Sequence, residues 1–144
     1  MLIEEALYQL LRDNPGVSAI TEGRIFPVTI PQLEKDKTAY PALVYTLTQR
    51  QRSQTHDGPD GLVKSYFQLE CIAKKYTVEA KPLADAVRLA VNGKSAALAA
   101  IYGMHVKGVF LQDERDTYGF DEVEQLSLYD AEMDLIIQHR EALT

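Results

Sequence analysis

His56 and Asp57 are the only adjacent histidine and carboxylate residues in the chain, and they fall in the polar stretch THDGPDG. An imidazole beside a carboxylate supports nucleophilic catalysis only when a serine or cysteine is held against the ring. Ser53 and Ser65 lie nearby in sequence, but no elbow or helix start positions either hydroxyl. We therefore interpret His56 and Asp57 as solvated turn residues. A small monomeric hydrolase or ligand-binding domain that uses this pair stays open as a rival hypothesis.

The acidic stretch DERDTYGFDEVE, residues 113–124, is the candidate for a metal site. An EF-hand loop requires oxygen ligands at its first, third and fifth positions and glycine at its sixth. Arg115, Thr117 and Tyr118 occupy the third, fifth and sixth positions, so the pattern fails. We predict a charged hairpin tip here, with no metal.

The remaining candidate ligands and nucleophiles are isolated. Cys71 is the only cysteine, which excludes an intrachain disulfide and a cysteine-based zinc site. His105 and His139 have no carboxylate or cysteine at ligand spacing, and both are predicted to be surface or strand-end histidines. A glycine-rich phosphate loop is also missing. The sequence therefore predicts a protein that is not an enzyme, takes no cofactor, and acts by binding.

Composition and charge narrow the class further. The chain has 144 residues, a formal charge of -6 and 46% hydrophobic residues, which fits one domain over residues 1–144 with a real core. The acidic balance argues against binding to a nucleic-acid backbone, because phosphate contacts need clustered Lys and Arg. No apolar run approaches the roughly 20 residues of a membrane span. The N-terminal stretch MLIEEALYQLL lacks a basic leader and a cleavage site, so we expect a protein made in the reducing cytoplasm.

Helical periodicity predicts two main helices, over about residues 2–13 and 78–92. The first is expected to stop at NPG, residues 14–16. Thr77 is the predicted N-cap of the second helix. Pro82 would delete a backbone hydrogen bond inside that helix, so we expect the helix to begin late or to bend. The stretch SAALAAIY adds a short helical turn.

Alternation of apolar and polar residues predicts two long hairpins. The first covers about residues 42–73, and its Asp-Gly pairs favour the positive φ angles of a hairpin turn. The second pairs MHVKGVFLQDERD with VEQLSLYDAEMDLIIQH. RIFPVTIPQ is predicted to be a short edge strand or extended coil because of its prolines. The pattern predicts an α+β fold: a largely antiparallel four- to five-stranded sheet with two main helices packed on one face.

Four stretches, taken in order, resemble the tail completion proteins of long-tailed bacteriophages and prophages, also called tail terminator or head–tail joining proteins. They are RIFPVTIPQ, YPALVYTLT, DGPDGLVKSYFQLECIAKKYTVEAKPLADAVRLAVNG and LQDERDTYGFDEVEQLSLYDAEMDLII. These stretches span nearly the whole chain, and their ordered combination is the specific feature. Pro82 departs from the family, which usually has an ordinary helix former at that position.

The resemblance implies a structural protein that forms a hexameric ring, caps the tail tube, halts its polymerisation and joins the tail to the head. Its implied partners are further copies of itself, the tail tube protein and a neck or head-completion protein. The implied location is the tail–neck junction of the virion, after assembly in the bacterial cytoplasm. DNA would pass through the channel without specific binding. A neck adaptor on the portal side is the alternative within virion assembly.

The resemblance also suggests three groups of candidate site residues. An assembly loop that orders against a neighbour is predicted at Asp57, Gly58, Pro59, Asp60 and Gly61. Leu89, which lies outside the apolar stripe of its helix, and the polar strand faces are candidate subunit contacts. A channel-facing acidic loop that repels DNA phosphates is predicted at Asp113, Glu114, Asp116, Asp121 and Glu122. A solvated outer loop is the alternative for this acidic group.

Overall fold

The structure, a computed structural model, describes residues 1–30, 40–56, 58–121 and 126–141. The helices of the described part are α1 (Ile3–Arg12), α2 (Pro15–Thr21), α3 (Lys81–Val91) and α4 (Ser95–Tyr102). Its strands are β1 (Ile25–Pro27), β2 (Ala42–Thr55), β3 (Gly58–Ala73), β4 (Val106–Asp121) and β5 (Leu126–Arg140). A π-helical turn, Tyr76–Ala80, precedes α3. No helix within these ranges is long and apolar enough to cross a membrane.

The strands form one sheet in the order β1-β2-β3-β5-β4. Short β1 runs parallel to β2 at one edge, and every other pair of neighbours is antiparallel. Pro27 ends β1, which suits an edge position because proline has no backbone N–H to donate to a neighbouring strand. The predicted α+β fold with a largely antiparallel sheet is confirmed.

All four helices pack on one side of the sheet, which we call the covered face. Alternate residues of the two central strands point into this layer, among them Phe67, Leu69 and Cys71 of β3 and Met133, Leu135 and Ile137 of β5. The helices bring apolar stripes at helical spacing, including Leu7 and Leu11 of α1 and Leu83 and Val87 of α3. These side chains form one continuous core, so the hydrophobic stabilisation of the fold is concentrated on this face.

The opposite side, which we call the open face, is less polar than the alternation predicts. A second apolar cluster covers one end of it, with Ile30, Tyr40, Ala42 and Val44 buried and Phe26, Ile72 and Leu128 packed against them. The start of β2 is therefore buried on both sides. The rest of the open face is mixed: polar and charged side chains lie beside Phe110 and Ile136, and Phe110 is 50% exposed.

The NPG stretch begins a helix as well as ending one. The side chain of Asn14 accepts a hydrogen bond from the Val17 backbone N–H at 3.2 Å, which caps α2. Pro15 stands in the first turn, where its missing N–H has no helical partner to lose. The prediction that this stretch only stops the first helix therefore missed α2.

Pro82 causes the late helix start that the sequence predicts. The α-helix begins at Lys81, so the proline lies in the first turn and no helical hydrogen bond is lost. The prediction of Thr77 as N-cap is wrong, because the cap residue of α3 is Ala80 and Thr77 lies inside the π-helical turn.

Candidate assembly surfaces

The predicted assembly loop is mostly strand. β3 begins at Gly58, and a bulge sets Asp60, Gly61 and the residue after them opposite Ser53 of β2. The Asp60 carboxylate accepts hydrogen bonds at 3.0 Å from the backbone N–H of Leu62 and from the hydroxyl of Ser53. The backbone bond contributes most to lowering the pKa of Asp60. This end of the hairpin is thus held in place by its own contacts, contrary to the expectation of a loose loop.

Glycines make the bulge possible. Gly58 and Gly61 have φ angles of 115° and 82°, which residues with a Cβ rarely adopt. The carbonyl of Gly61 also accepts a hydrogen bond from the Glu141 N–H at 2.8 Å, which ties the bulge to the chain beyond β5. The backbone of Pro59 lies opposite Gln54 of β2 in the strand register. Asp57 lies outside the described residues.

His139 lies near the end of β5, as the strand-end alternative predicts, but it is buried, so the surface alternative is wrong for it. It is 1% exposed, and its Nε2 lies 2.8 Å from the hydroxyl of buried Ser65. The Tyr102 ring meets the imidazole edge-on, with centroids 5.4 Å apart. Burial lowers the pKa of His139, which favours the neutral ring. Ser65 is 0% exposed, so this pair acts as a hydrogen bond inside the core, whereas His56 stands exposed at the β2–β3 turn.

The predicted acidic loop is largely the body of strand β4, so its prediction as a hairpin tip is wrong for residues 113–116. Asp113 is exposed on the open face, where it pairs with Asp134 in register. Glu114 and Asp116 project on the covered side, opposite Met133 and Ala131. These carboxylates therefore cannot all face one channel.

Asp116 has a structural role as well as a charge. It accepts a hydrogen bond from the Tyr76 hydroxyl at 2.5 Å and forms an ion pair with Lys81 at 3.7 Å. The bond to Asp116 is the main cause that raises the pKa of Tyr76, and the nearby carboxylate raises the pKa of Lys81. These contacts attach the start of α3 to the edge strand.

The other nominated positions divide between described and undescribed residues. Leu89 is 66% exposed on α3, as its place outside the apolar stripe predicts. Asp121 ends β4 opposite Leu126, and its side chain lies outside the described part of the structure. Glu122 lies outside the described residues altogether.

The most unusual polar group is a carboxylate cluster in the middle of the open face. Carboxylate oxygens of Glu70, Asp130 and Glu132 lie within 4.8 Å of one another, close enough to be ligands of one cation. Arg115 neutralises part of this charge, since it donates to Glu132 at 2.6 Å and holds Asp134 by two bonds at 2.9 and 3.3 Å. Glu70 lies on β3, Asp130 and Glu132 lie on β5, and Arg115 lies on β4. The register of these three neighbouring strands therefore brings the cluster together.

Asp130 is the residue of this cluster whose pKa is raised most strongly. Its Oδ1 is buried and finds no hydrogen-bond partner among the described residues. Burial, followed by the charges of Glu70 and Glu132, raises the pKa of Asp130 to about 8. Burial also raises the pKa of Glu70. The sequence places these residues on a polar strand face, but only the register shows that they meet.

The two hairpins point their turns toward opposite ends of the sheet. β3 pairs with β5 from Leu62, opposite Arg140, to Ala73, opposite Tyr129. The strand ends Thr55 and Gly58 lie beyond the first of these pairs, and the strand ends Asp121 and Leu126 lie beyond the second. At ~3.3 Å per residue, the two ends of this shared pairing are on the order of 36 Å apart.

Comparison with known proteins places these features in a class. A chain of a structure titled "Virion of native gene transfer agent (GTA) particle" is 14% identical and superposes with a TM-score of 0.71, over 96% of this chain and 94% of that chain. At this identity the likeness shows a shared fold. The search of curated proteins found no match.

The fold is thus that of a protein found in a phage-like particle. Residues 5–135 match the family described as tail completion protein gp17. Because the match covers most of the chain, this protein belongs to that family and is a structural component of the phage tail. The resemblance inferred from the four sequence stretches is confirmed.

Proposed function

We propose that this protein caps the finished tail tube as a ring of six copies, stops tail polymerisation and joins the tail to the head. The observation that carries the proposal is the family match over residues 5–135. Such a ring needs two different surfaces on each copy that fit one another head to tail. It also needs two ends, one for the tube and one for the neck.

The placement of the two hairpin turns supports the requirement for two ends. The β2–β3 turn and the β4–β5 connection lie at opposite ends of the sheet. In a ring whose axis follows the strands, one turn of each copy would meet the tail tube and the other would meet the neck. The Gly58–Gly61 segment is our candidate for one of these contacts, in its bulged strand form.

The open face is our candidate for the channel wall, because the helices occupy the other side of the sheet. Of the acidic residues nominated from sequence, Asp113 lies on this face, together with Glu70 and Asp134. Their charges would repel DNA phosphates at short range and keep the duplex from adhering.

The channel proposal is tested with Glu70→Gln combined with Asp113→Asn. We expect slower genome ejection, most clearly at low salt, with ring formation unchanged in native mass spectrometry. Glu114→Gln, on the other side of the same strand, is the control and should leave ejection normal. Normal ejection by the double variant would remove the proposed role of these charges.

Leu89 is our candidate for a contact between copies. Val78 provides a matched control, because both side chains are 66% exposed and lie in the same helical region. Leu89→Asp is expected to weaken ring formation at least tenfold, whereas Val78→Asp should be tolerated. Equal behaviour of the two variants would contradict a specific role for Leu89.

Native mass spectrometry over a concentration series tests the proposed function itself, with the protein alone and with tail tubes sheared from particles of the same phage. We expect six copies in at least one of these conditions, because a tube end can template an interface that is weak in dilute solution. A protein that stays monomeric at all concentrations and ignores tube ends would overturn the proposal.

A further inference from the structure

We propose that neighbouring copies join edge to edge, with residues 112–120 of β4 pairing with Thr46–Thr55 of β2 in the next copy. This inference rests on the proposed ring and names the two surfaces that close it. Both segments lie at free edges of the sheet, on opposite sides of the molecule.

β4 supplies the first edge. It is the edge strand of the sheet; Gly93 donates to the carbonyl of Val109 at 3.2 Å, but no described strand covers the outer side of residues 112–120. Residues 112–120 are all exposed, including Tyr118 at 61% and Phe120 at 51%. A long edge strand with exposed aromatic side chains is a template for another strand, and proteins usually cover or blunt such an edge.

β2 supplies the second edge. β1 pairs with it only at Leu43, Val44 and Tyr45, so no described strand covers the outer side of Thr46–Thr55. The two free segments have similar lengths, nine residues on β4 and ten on β2. Strand addition at such edges gives binding through backbone hydrogen bonds.

The charges of the two segments are complementary, and this favours a second copy as the occupant. Residues 112–120, QDERDTYGF, contain three acidic residues and one arginine, whereas residues 46–55, TLTQRQRSQT, contain two arginines and no acidic residue. The net charges are therefore -2 and +2. Arg50 and Arg52 already pair with Glu4 and Glu141 of their own copy, so the complementarity is one of net charge along the two edges, and backbone hydrogen bonds form the contact itself. Opposite charges across a strand pair stabilise it, and like charges disfavour it.

Strand direction also permits the seam. β2 is antiparallel to β3, β3 to β5 and β5 to β4, so β4 runs opposite to β2 within one copy. Rotation about the ring axis largely preserves these directions when the strands run more along that axis than across it. β4 of one copy would then meet β2 of the next as an antiparallel pair, which is the commoner pairing in proteins.

The seam requires the copies to be staggered along the strands. Through the registers of the sheet, Asp113 lies level with Thr46 and Thr117 lies level with Ala42. Residues 112–120 therefore stand beside the part of β2 that β1 covers, not beside its free part. Strands in closed barrels tilt by roughly 35–45°, which shifts successive strands along one another and supplies a stagger of this kind.

Paired cysteines test the seam. If the centres of the two segments coincide, Gln49 lies opposite Thr117; both are exposed on the open face and neither makes a side-chain hydrogen bond within the described part of the chain. We would combine Gln49→Cys with Thr117→Cys, and separately with Asp113→Cys or Gly119→Cys to sample neighbouring registers. Residues directly opposite in an antiparallel pair have Cα atoms about 4.5–5.5 Å apart, within the range of a disulfide.

We expect one of these double variants, oxidised under ring-forming conditions, to give a ladder of disulfide-linked species up to six copies. Each single-cysteine variant should stay unlinked, because the seam joins two different edges. Native Cys71 does not interfere, since it is 0% exposed and burial raises the pKa of its thiol. Linking by Thr117→Cys alone would indicate β4 against β4 and would overturn the proposal.

Two further outcomes separate this inference from the proposed function. Rings or capped tubes without cross-links in any of the three registers would overturn the seam and leave the capping function intact. A protein that neither oligomerises nor binds tube ends would overturn both. The same cysteine variants, kept reduced, should assemble like the unmodified protein.

Discussion

The covered and open faces of the sheet are built from the same strands, yet they obey different rules. In β5, Met133 and Leu135 on the covered face are at most 1% exposed, while Glu132 and Asp134, which alternate with them, carry charge on the open face. The covered face buries apolar area, which stabilises the fold. The open face carries several carboxylates close together, and their negative charges repel one another. The charged residues of the open face do not stabilise the fold in this way, which fits the proposal that this face takes part in assembly and lines the channel.

The largest expected difference between the faces comes from adjacent aromatic residues of β3. Phe67 is 1% exposed in the core, whereas Tyr66 is half-buried on the open face and donates its hydroxyl to Gln51 at 3.0 Å. Phe67→Ala should lower the free energy of unfolding by about 3–5 kcal/mol, because it leaves a cavity. Tyr66→Ala should lower it by about 1 kcal/mol. Urea unfolding measures both, and equal losses would contradict the division into two faces.

How far the sequence predicts the fold depends on how local each signal is. Alternation in β3 and β5 identifies the face of each residue, and Pro82 correctly predicts the late start of α3. The seven-residue helix α2 was missed because Asn14-Pro15 serves both as a stop and as a start. Such a short helix has little periodicity of its own to detect.

The candidate surfaces were less predictable, because they depend on strand register. Alternation places Glu70 and Asp130 on a polar face, but it does not say which strand lies beside which. The burial of His139 could not be predicted for the same reason, since its hydrogen-bond partner Ser65 is 74 residues away in sequence. The position of β4 at the sheet edge is likewise set by topology.

The second prediction uses pH to probe the cost of the open face. The pKa of Asp130 is raised to about 8, above the value of ~3.9 expected in the unfolded chain. The folded state therefore binds the proton more tightly, so this contribution to stability is present below about pH 4 and is lost as pH rises to about 8. Asp130→Asn removes the ionisation and should stabilise the protein by about 1–3 kcal/mol at pH 9, allowing for solvent screening.

Urea unfolding of Asp130→Asn and the unmodified protein at pH 5 and pH 9 measures this effect. The gain from the substitution should be larger at pH 9 than at pH 5. Asp134→Asn is the matched control, because Asp134 is already paired with Arg115 and its loss should not stabilise the protein. A gain of equal size at both pH values would argue against ionisation of Asp130 as its cause.

A smaller effect is expected from replacing Arg115, whose positive charge offsets part of the negative charge of the open face. Arg115 contacts both Glu132 and Asp134, and its side chain is 43% exposed. Arg115→Gln should lower stability by about 1 kcal/mol, because solvent screens a pair of this exposure. The loss should grow between pH 5 and pH 9, because Asp130, whose pKa is raised to about 8, ionises in this range and the charge of Arg115 favours its ionised form. Lys107→Gln, an exposed cation of the same strand, should have no such pH dependence in the same unfolding measurement.

The smallest effect is expected at the outer edge of the open face. Thr117 is exposed on β4 and lies opposite Asp130 in register, but its side chain has no bond within the described residues. Thr117→Ala should change the unfolding free energy of the isolated protein by less than about 0.5 kcal/mol. If the proposed seam forms, those backbone N–H groups of residues 112–120 that point away from β5 should nevertheless exchange hydrogen more slowly in assembled rings than in monomers. Unchanged exchange at β4 on assembly would separate the open edge from the contacts between copies, and the exposed aromatic residues there would need another partner.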